Sequence, residues 1–395
     1  MSHSEDLTLL FENWKGRIET LMREHPLQII SWEATRRCNL KCLHCGTPSE
    51  EVDNAEELTT GEAIGAFDEI ARDFDMSRFR HINITGGEPF IRSDLLDVLR
   101  AISRWPFYRN IDIQTNGVFI ADNPDILKEL RGVGVTGLGI SIDGFESTHD
   151  SLRGIQGTWA KAVNAAQLAV EAGYVVTVSF VAHSRNIHEL SAFHHFVTDE
   201  IRPRVFRVMF IDDQGRAREN DDLLLSSVQV REVIAFLKRE HERSCRNYSD
   251  PSASMVELGC GGWLGTELEG RVRPFIFHCI AGLNNLGILY DGKLGSCNNI
   301  SRDFIQGDLR YERIKHVWGS RYLPFRETEW RKTGPCYKCR EWDFCHGGPM
   351  HKWRPNGSNP GCILINCQIL RAPLPSTFCT SNIHAEFVCP RTQVR

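Results

Sequence analysis

The 395-residue sequence contains no stretch approaching the roughly 18 consecutive apolar residues that a membrane-crossing helix needs, which excludes a helical span. Its opening residues, MSHSEDLTLLFENWKGRIETLMREHP, lack the basic-then-apolar order of a secretory signal, so a cytoplasmic chain in a reducing compartment is expected. A basic face is also missing. The 46 Lys and Arg are outnumbered by 51 Asp and Glu, for a net charge of -5, and binding to nucleic acid is not expected. There is no internal repeat and no low-complexity segment. Cysteine, by contrast, is plentiful. Fourteen of them in a reducing compartment are poor candidates for disulfides and good ones for metal or cluster ligands. With 41% hydrophobic and 25% charged residues the composition is that of an ordinary globular protein, long enough to enclose a buried site.

From residue 28 to residue 211 short β-branched runs alternate with longer amphipathic stretches. The pattern predicts strands at Gln28–Glu33, His81–Thr85, Asn110–Gln114, Gly137–Ile142, Val175–Val181 and Val205–Ile211. Helices are expected near Thr60–Asp73, Ser93–Ser103, Pro124–Gly132, Thr158–Ala172 and Ile187–Thr198. Apolar runs without alternation suit a sheet covered on both faces. The fold class is therefore α/β, with right-handed crossovers and ligands at the carboxyl ends of the strands. An open, partial (β/α)6 TIM-like barrel is the preferred form. The expected division is a helical extension over 1–27, the barrel over 28–225, a connecting helix and linker over 226–258, a small cysteine-rich domain over 259–370 and a tail over 371–395.

Directly after the first strand the chain reads TRRCNLKCLHCGTP, which spaces Cys38, Cys42 and Cys45 as CX3CX2C in one tight loop. A cubane 4Fe-4S cluster normally takes four thiolates, so three close ones leave one iron open for chemistry. Structural zinc favours paired C-x2-C units with remote partners, a poorer match.

This loop resembles the signature of the radical S-adenosylmethionine (SAM) superfamily. The resemblance implies a catalytic 4Fe-4S cluster on Cys38, Cys42 and Cys45 whose open iron chelates SAM. It further implies reductive cleavage of SAM to methionine and a 5'-deoxyadenosyl radical, which abstracts hydrogen from substrate. His44 stands where the family places an aromatic residue. The second strand ends in TGGEPF, similar to the family's GGE motif, which implies that Gly86, Gly87 and Glu88 bind the methionine amino group. The third and fourth strands end in QTNG and SIDG, where Asn116, Ser141 and Asp143 are candidates for the cofactor, the latter two for ribose hydroxyls. Short polar residues at strand ends are also common helix caps. Arg153 in HDSLRG matches an arginine that contacts the cofactor carboxylate in similar sequences, and Gly215–Ala217 also looks like the family without a role that the sequence fixes.

The second half carries Cys279-X12-Gly292-X4-Cys297 and then Cys336-X2-Cys339-X5-Cys345, spacings too ordered for chance; a zinc ribbon is the competing reading. This region resembles the SPASM extension of the same superfamily, which implies one or two auxiliary 4Fe-4S clusters. Cys260, Cys279 and Cys297 are assigned to the first, with His351 or an open iron as the fourth partner, because Pro349 stands where the family has cysteine. Cys336, Cys339 and Cys345 are assigned to the second, completed by Cys367 or Cys362, with Cys367 preferred. Cys245, Cys379 and Cys389 have no assignment.

The resemblance implies a radical, oxidoreductase-like enzyme that modifies a peptide or protein side chain, fed by an external electron donor of the flavodoxin or ferredoxin type. Against this reading, only 37 residues precede Cys38, so the separate leader-binding domain that peptide-modifying relatives often carry there is not expected. The alternatives are oxidation, epimerisation or rearrangement of a small metabolite such as a sugar or aminoglycoside, and a non-catalytic iron-sulfur or zinc protein.

Overall fold

The computed structural model describes residues 3–47, 49, 56–246, 250, 253–354, 356–358 and 362; Cys367, Cys379 and Cys389 lie outside them. Helix α1 (His3–Glu24) leads into β1 (Ile29–Thr35), α2 (Thr60–Asp73), β2 (His81–Gly86), α3 (Leu95–Ile102) and β3 (Ile111–Thr115). There follow α4 (Val118–Asp122), α5 (Ile126–Gly132), β4 (Val135–Ser141), α6 (Glu146–Arg153), α7 (Thr158–Glu171) and β5 (Val175–Ala182). Helix α8 (Leu190–Phe196), β6 (Val205–Phe210), α9 (Ser227–Arg246) and β7 (Met255–Leu258) complete the alternating part. The cysteine-rich half adds β8 (Asn285–Ile288), β9 (Lys293–Gly295), β10 (Gly307–Asp308), α10 (Ile314–Ser320), α11 (Leu323–Arg326) and α12 (Trp342–Cys345).

All ten strands form one sheet in the order β10-β9-β8-β1-β2-β3-β4-β5-β6-β7. Strands β1 to β6 are consecutive parallel neighbours, the arrangement of a partial TIM-like barrel, and their carboxyl ends share one rim. The sequence periodicity places these six strands within a residue or two. The four further strands extend the sheet at both edges. Strand β7 runs parallel to β6, β8 runs parallel to β1 with Ile29 opposite Asn285, and β9 and β10 are antiparallel. The boundary expected at residue 259 therefore crosses a continuous sheet.

The local causes are ordinary. Thr59 and Glu62 form a reciprocal capping box at the start of α2, and Ala63, Ala66, Phe67 and Ile70 face the sheet at helical spacing. Between the layers Ile30, Trp32, Ile82, Ile84, Ile113, Ile140, Val178 and Phe206 are fully buried, an apolar layer that supplies most of the folding drive. Helix α7 offers Ala162, Ala165, Ala166 and Ala169 to the interior, a small-residue face that admits close helix packing. Helix α1 sets Trp14, Ile18 and Leu21 against Trp263, Ile276 and Phe277 of the cysteine-rich half. Among the described residues no helix is long and apolar enough to cross a membrane.

One buried group gives the fold an acid sensitivity away from the site. His194 on α8 packs against the rings of Phe206 and Phe236 and its Nδ1 has no hydrogen-bond partner. Burial pushes its pKa down to about 4, with Glu240 and Asp199 opposing and His195 and Arg239 assisting. The unfolded chain binds this proton below about pH 6.5 and the folded one only near pH 4, so stability present at neutral pH falls as pH drops through that window. Urea unfolding should show His194→Leu losing roughly 2–3 kcal/mol less than the parent between pH 7 and pH 4. Parallel curves for the two proteins would mean that this proton is not linked to folding.

Candidate iron-sulfur active site

The loop that carries Cys38, Cys42 and Cys45 springs from the carboxyl end of β1 and is pinned from three sides. Leu43 N donates to Leu152 O at 2.9 Å, Arg216 Nε donates to Cys42 O at 2.8 Å, and Arg216 N donates to Cys45 O at 3.0 Å. Gly215, at φ 54°, packs so tightly that a Cβ there would lie 2.4 Å from Cys45 O. The segment Gly215–Ala217, without a role from sequence, is thus the clasp of the cysteine loop. From below, a Cβ on Gly87 would lie 2.1 Å from Arg37 O, and Gly87 N and Glu88 N donate to Thr35 O and Arg37 O at 2.8 and 2.9 Å. The paired glycines therefore let β2 press against the root of the cysteine loop, a close approach of chain to chain.

Glu88 is 1% exposed, and burial raises its carboxyl to about 7 against the pull of its donors. Those donors are Thr115 Oγ1 at 2.8 Å, Asn116 N at 2.8 Å and Phe90 N at 3.3 Å. Asn116 Nδ2 in turn donates to Asn39 Oδ1 at 2.7 Å, so the ends of β2 and β3 and the cysteine loop are one hydrogen-bonded unit. Ser141 is half-buried at the end of β4. Asp143 is fully buried and already engaged: Val181 N donates to Oδ1 at 2.9 Å, and Arg153 Nε and Nη2 donate to Oδ2 at 2.9 and 2.5 Å. Burial alone would push its carboxyl up, but the Arg153 guanidinium, then His44 and His149, hold it well below the usual range. Asp143 thus fixes Arg153 through Oδ2 and the end of β5 through Oδ1. His44 Nε2 lies 3.8 Å from the same carboxylate, and burial lowers its pKa to about 3.

The donor set fits an iron-sulfur cluster. Burial raises the thiols of Cys38, to about 11, and of Cys42, while Arg153 and Arg216 pull Cys42 back, so cations stand ready for thiolate charge. Leu40 N points at Cys38 Sγ from 3.4 Å, a donor aimed at sulfur. None of these three cysteines is in a disulfide.

In the second half, Cys260, Cys279 and Cys297 lie within electrostatic reach of one another. Cys260 keeps exposed surface, and the protein around it raises its pKa. The fully buried pair Glu269 and Arg273 frames the approach: Arg273 donates to Gly259 O and Gly262 O, and Glu269 accepts from Leu264 N and Phe277 N. Pro349 packs against Gly262, and Met350 N donates to Cys279 Sγ at 3.3 Å. His351 turns elsewhere, with Nε2 3.1 Å from Asp212 Oδ2 and Lys352 on the other oxygen. In the last set, Cys336 and Cys345 both sense Cys339 and Cys362, so Cys362 is the described cysteine that joins them. Among the described residues no group of three or more His, Cys, Asp or Glu is placed to hold one metal ion. A cubane asks for something different, since each thiolate ligates a separate iron.

A cavity of about 930 Å³ opens beside these elements, near the upper end of ligand-site volumes. Its wall begins at Gly46 and Thr47, one residue past Cys45, continues along 210–215 after β6 and ends on 298–303 and 351–354. Asp212 and Lys352, at this wall, carry no motif that a single sequence exposes.

A parallel α/β barrel with thiol sets at its rim defines an iron-sulfur protein that works at the strand ends. Comparison with known proteins gives the particular case. Residues 32–197 match the radical SAM superfamily, and residues 279–340 match SPASM, an iron-sulfur cluster-binding domain. The Fe-coproporphyrin III synthase of Methanosarcina barkeri is 31% identical over 238 residues, 58% of this chain and 58% of that protein. The mycofactocin maturase MftC of Mycolicibacterium smegmatis is 29% identical over 328 residues, 81% of this chain and 77% of that one. In fold, the chain is similar to native anSMEcpe with bound AdoMet, at a TM-score of 0.63 and 18% identity, covering 88% of this chain and 95% of that one. The chain belongs to the radical SAM superfamily of iron-sulfur enzymes, in its SPASM subgroup.

Proposed function

We propose that this enzyme cleaves SAM reductively at a cluster on Cys38, Cys42 and Cys45 and directs the resulting 5'-deoxyadenosyl radical at a peptide or protein side chain. The observation that carries the reading is the cavity, which starts beside Cys45 and is closed on its far side by the cysteine-rich half. When bound, the cluster supplies an open iron for the amino and carboxylate groups of SAM and the electron that cleaves it. The chain's own residues bind and orient. The Gly86–Glu88 turn receives the methionine end, and Arg153, held by Asp143, faces its carboxylate. Asn116 and Ser141 take the cofactor's remaining polar groups. The amide side chains of Asn298, Asn299 and Gln214 on the cavity wall offer paired donors and acceptors suited to a peptide backbone. The maturase relative favours a maturation reaction. Two auxiliary clusters complete the reading, one on Cys260, Cys279 and Cys297, the other on Cys336, Cys339, Cys345 and Cys362. An external low-potential donor supplies the electron.

A second reading, a carboxylate-bearing macrocycle, is favoured by the cations Arg36, Arg218, Arg302, Lys352 and Arg354 on the same wall and by the relative named for coproporphyrin. Deuterium-labelled peptides and propionate-bearing tetrapyrroles, each incubated with SAM and the reduced, anaerobically reconstituted protein, separate the two. Deuterium in the released 5'-deoxyadenosine from a peptide supports the first reading, and from a tetrapyrrole the second. No 5'-deoxyadenosine with any reductant would sink both.

A further inference from the structure

Arg331 ends the short turn Glu329–Arg331 and is 4% exposed. Its Nε has no hydrogen-bond partner, and among the described residues no carboxylate forms an ion pair with it. One face of Trp330 lies 5.7 Å from the guanidinium carbon. Among the described residues, the groups within its electrostatic reach that can carry negative charge are three thiols drawn from both auxiliary sets: Cys279 from the first, Cys345 and Cys336 from the second. A single tight turn joins those sets around the arginine. A Cβ on Gly347 would lie 3.1 Å from Arg331 Cβ, one on Gly348 would lie 3.7 Å from Cys345 Sγ, and Met350 N donates to Cys279 Sγ at 3.3 Å.

A guanidinium keeps its proton in proteins, and burying such a charge without a counter-charge costs several kcal/mol. Neutral thiols do not offset that cost. Thiolates bound to iron do, because an iron-sulfur site with cysteine ligands carries net negative charge.

We propose that Arg331 is a shared counter-cation for two auxiliary iron-sulfur sites and that its fixed charge raises the reduction potential of both. The inference rests on the reading that each cysteine set holds a cluster. Reduction adds an electron, so a positive charge in a poorly screened interior stabilises the reduced form. Arg331 is thus a positioning and tuning residue, and it touches no substrate.

The test is an anaerobic redox titration followed by electron paramagnetic resonance on the reconstituted full chain, the parent beside Arg331→Met and Arg331→Lys, with iron and sulfide counted in each. The expected result is that both auxiliary signals of Arg331→Met move to more negative potential, the signal of the cluster on Cys38, Cys42 and Cys45 stays in place, and Arg331→Lys lies near the parent. Movement of only one auxiliary signal, of none, or equal movement in both variants overturns the proposal. If Arg331→Met fails to hold its auxiliary clusters, retention of both by Arg331→Lys supports a role of charge, and equal loss overturns it. A parent protein with iron for only one cluster refutes the underlying reading, an outcome distinct from an unmoved potential in a fully loaded parent.

Discussion

Cys42→Ala should leave a folded chain that releases no 5'-deoxyadenosine from SAM under any reductant, with Cys38→Ala and Cys45→Ala behaving alike. Each removes one of the three thiolates that keep the cluster in place, and a cubane held by two does not persist to bind SAM. The loop itself should survive the change. Its conformation is fixed by main-chain bonds to Leu152 and Arg216, none of which uses a sulfur atom. Cys336→Ala should differ in kind. Its thiol sits with Trp342 and Trp353 in a small cluster of the second half, remote in the chain from β1, so the loss there is an auxiliary cluster and part of the stability. Chromatographic assay of 5'-deoxyadenosine beside iron content and thermal unfolding separates the two. Identical behaviour of Cys42→Ala and Cys336→Ala would mean that the two halves do not divide the work as described.

The largest stability effect is expected at Asp143. Asp143→Ala strands the Arg153 guanidinium in the interior without its carboxylate and frees Val181 N from its acceptor. Breaking one side of a buried ion pair costs about 3–5 kcal/mol, whereas replacing both partners with apolar side chains is often near neutral. Asp143→Ala should therefore unfold far more readily in urea than the double variant Asp143→Leu with Arg153→Met. Both should lose SAM cleavage if, as proposed, Arg153 faces the cofactor carboxylate. A double variant as unstable as the single would show that the pair acts through shape rather than charge.

The six barrel strands were legible because β-branched runs such as IISWEAT and VVTVSFVA are buried on both faces in the first case and on one face with a half-buried reverse in the second, and the intervening helices write their apolar faces at a spacing of three and four. Strands β7 to β10 were not legible. They are two to four residues long, too short for a periodic signal, and β8 pairs with a strand far back in the chain, as with Ser31 Oγ and Asn285 Oδ1, 254 positions apart and 3.0 Å from each other. The cysteine sets were legible as spacings because ligation needs several thiols near one point. What each neighbour does was not. Gly86 and Gly87 read as room for a ligand, and their close approach to Thr35 and Arg37 is a further demand on the same glycines that only the fold reveals. Asp143 read as a ligand because a polar residue at a strand end is a plausible one, while its burial beside Arg153 is a tertiary fact. Cys367 is preferred over Cys362 in the sequence and lies outside the described residues, whereas Cys362 is within electrostatic reach of Cys336 and Cys345.

Strand β8 lies on the free flank of β1, sealed by Ser31 to Asn285 and by Asn284 to Gln28 at 2.8 Å. The strand that launches the cysteine loop is therefore an inner strand only while the later half of the chain is docked. Stripped of β8, β1 would present a bare row of amide and carbonyl groups, a template for intermolecular pairing. The cysteine-rich half thus closes the exposed edge of the very strand that launches the cysteine loop.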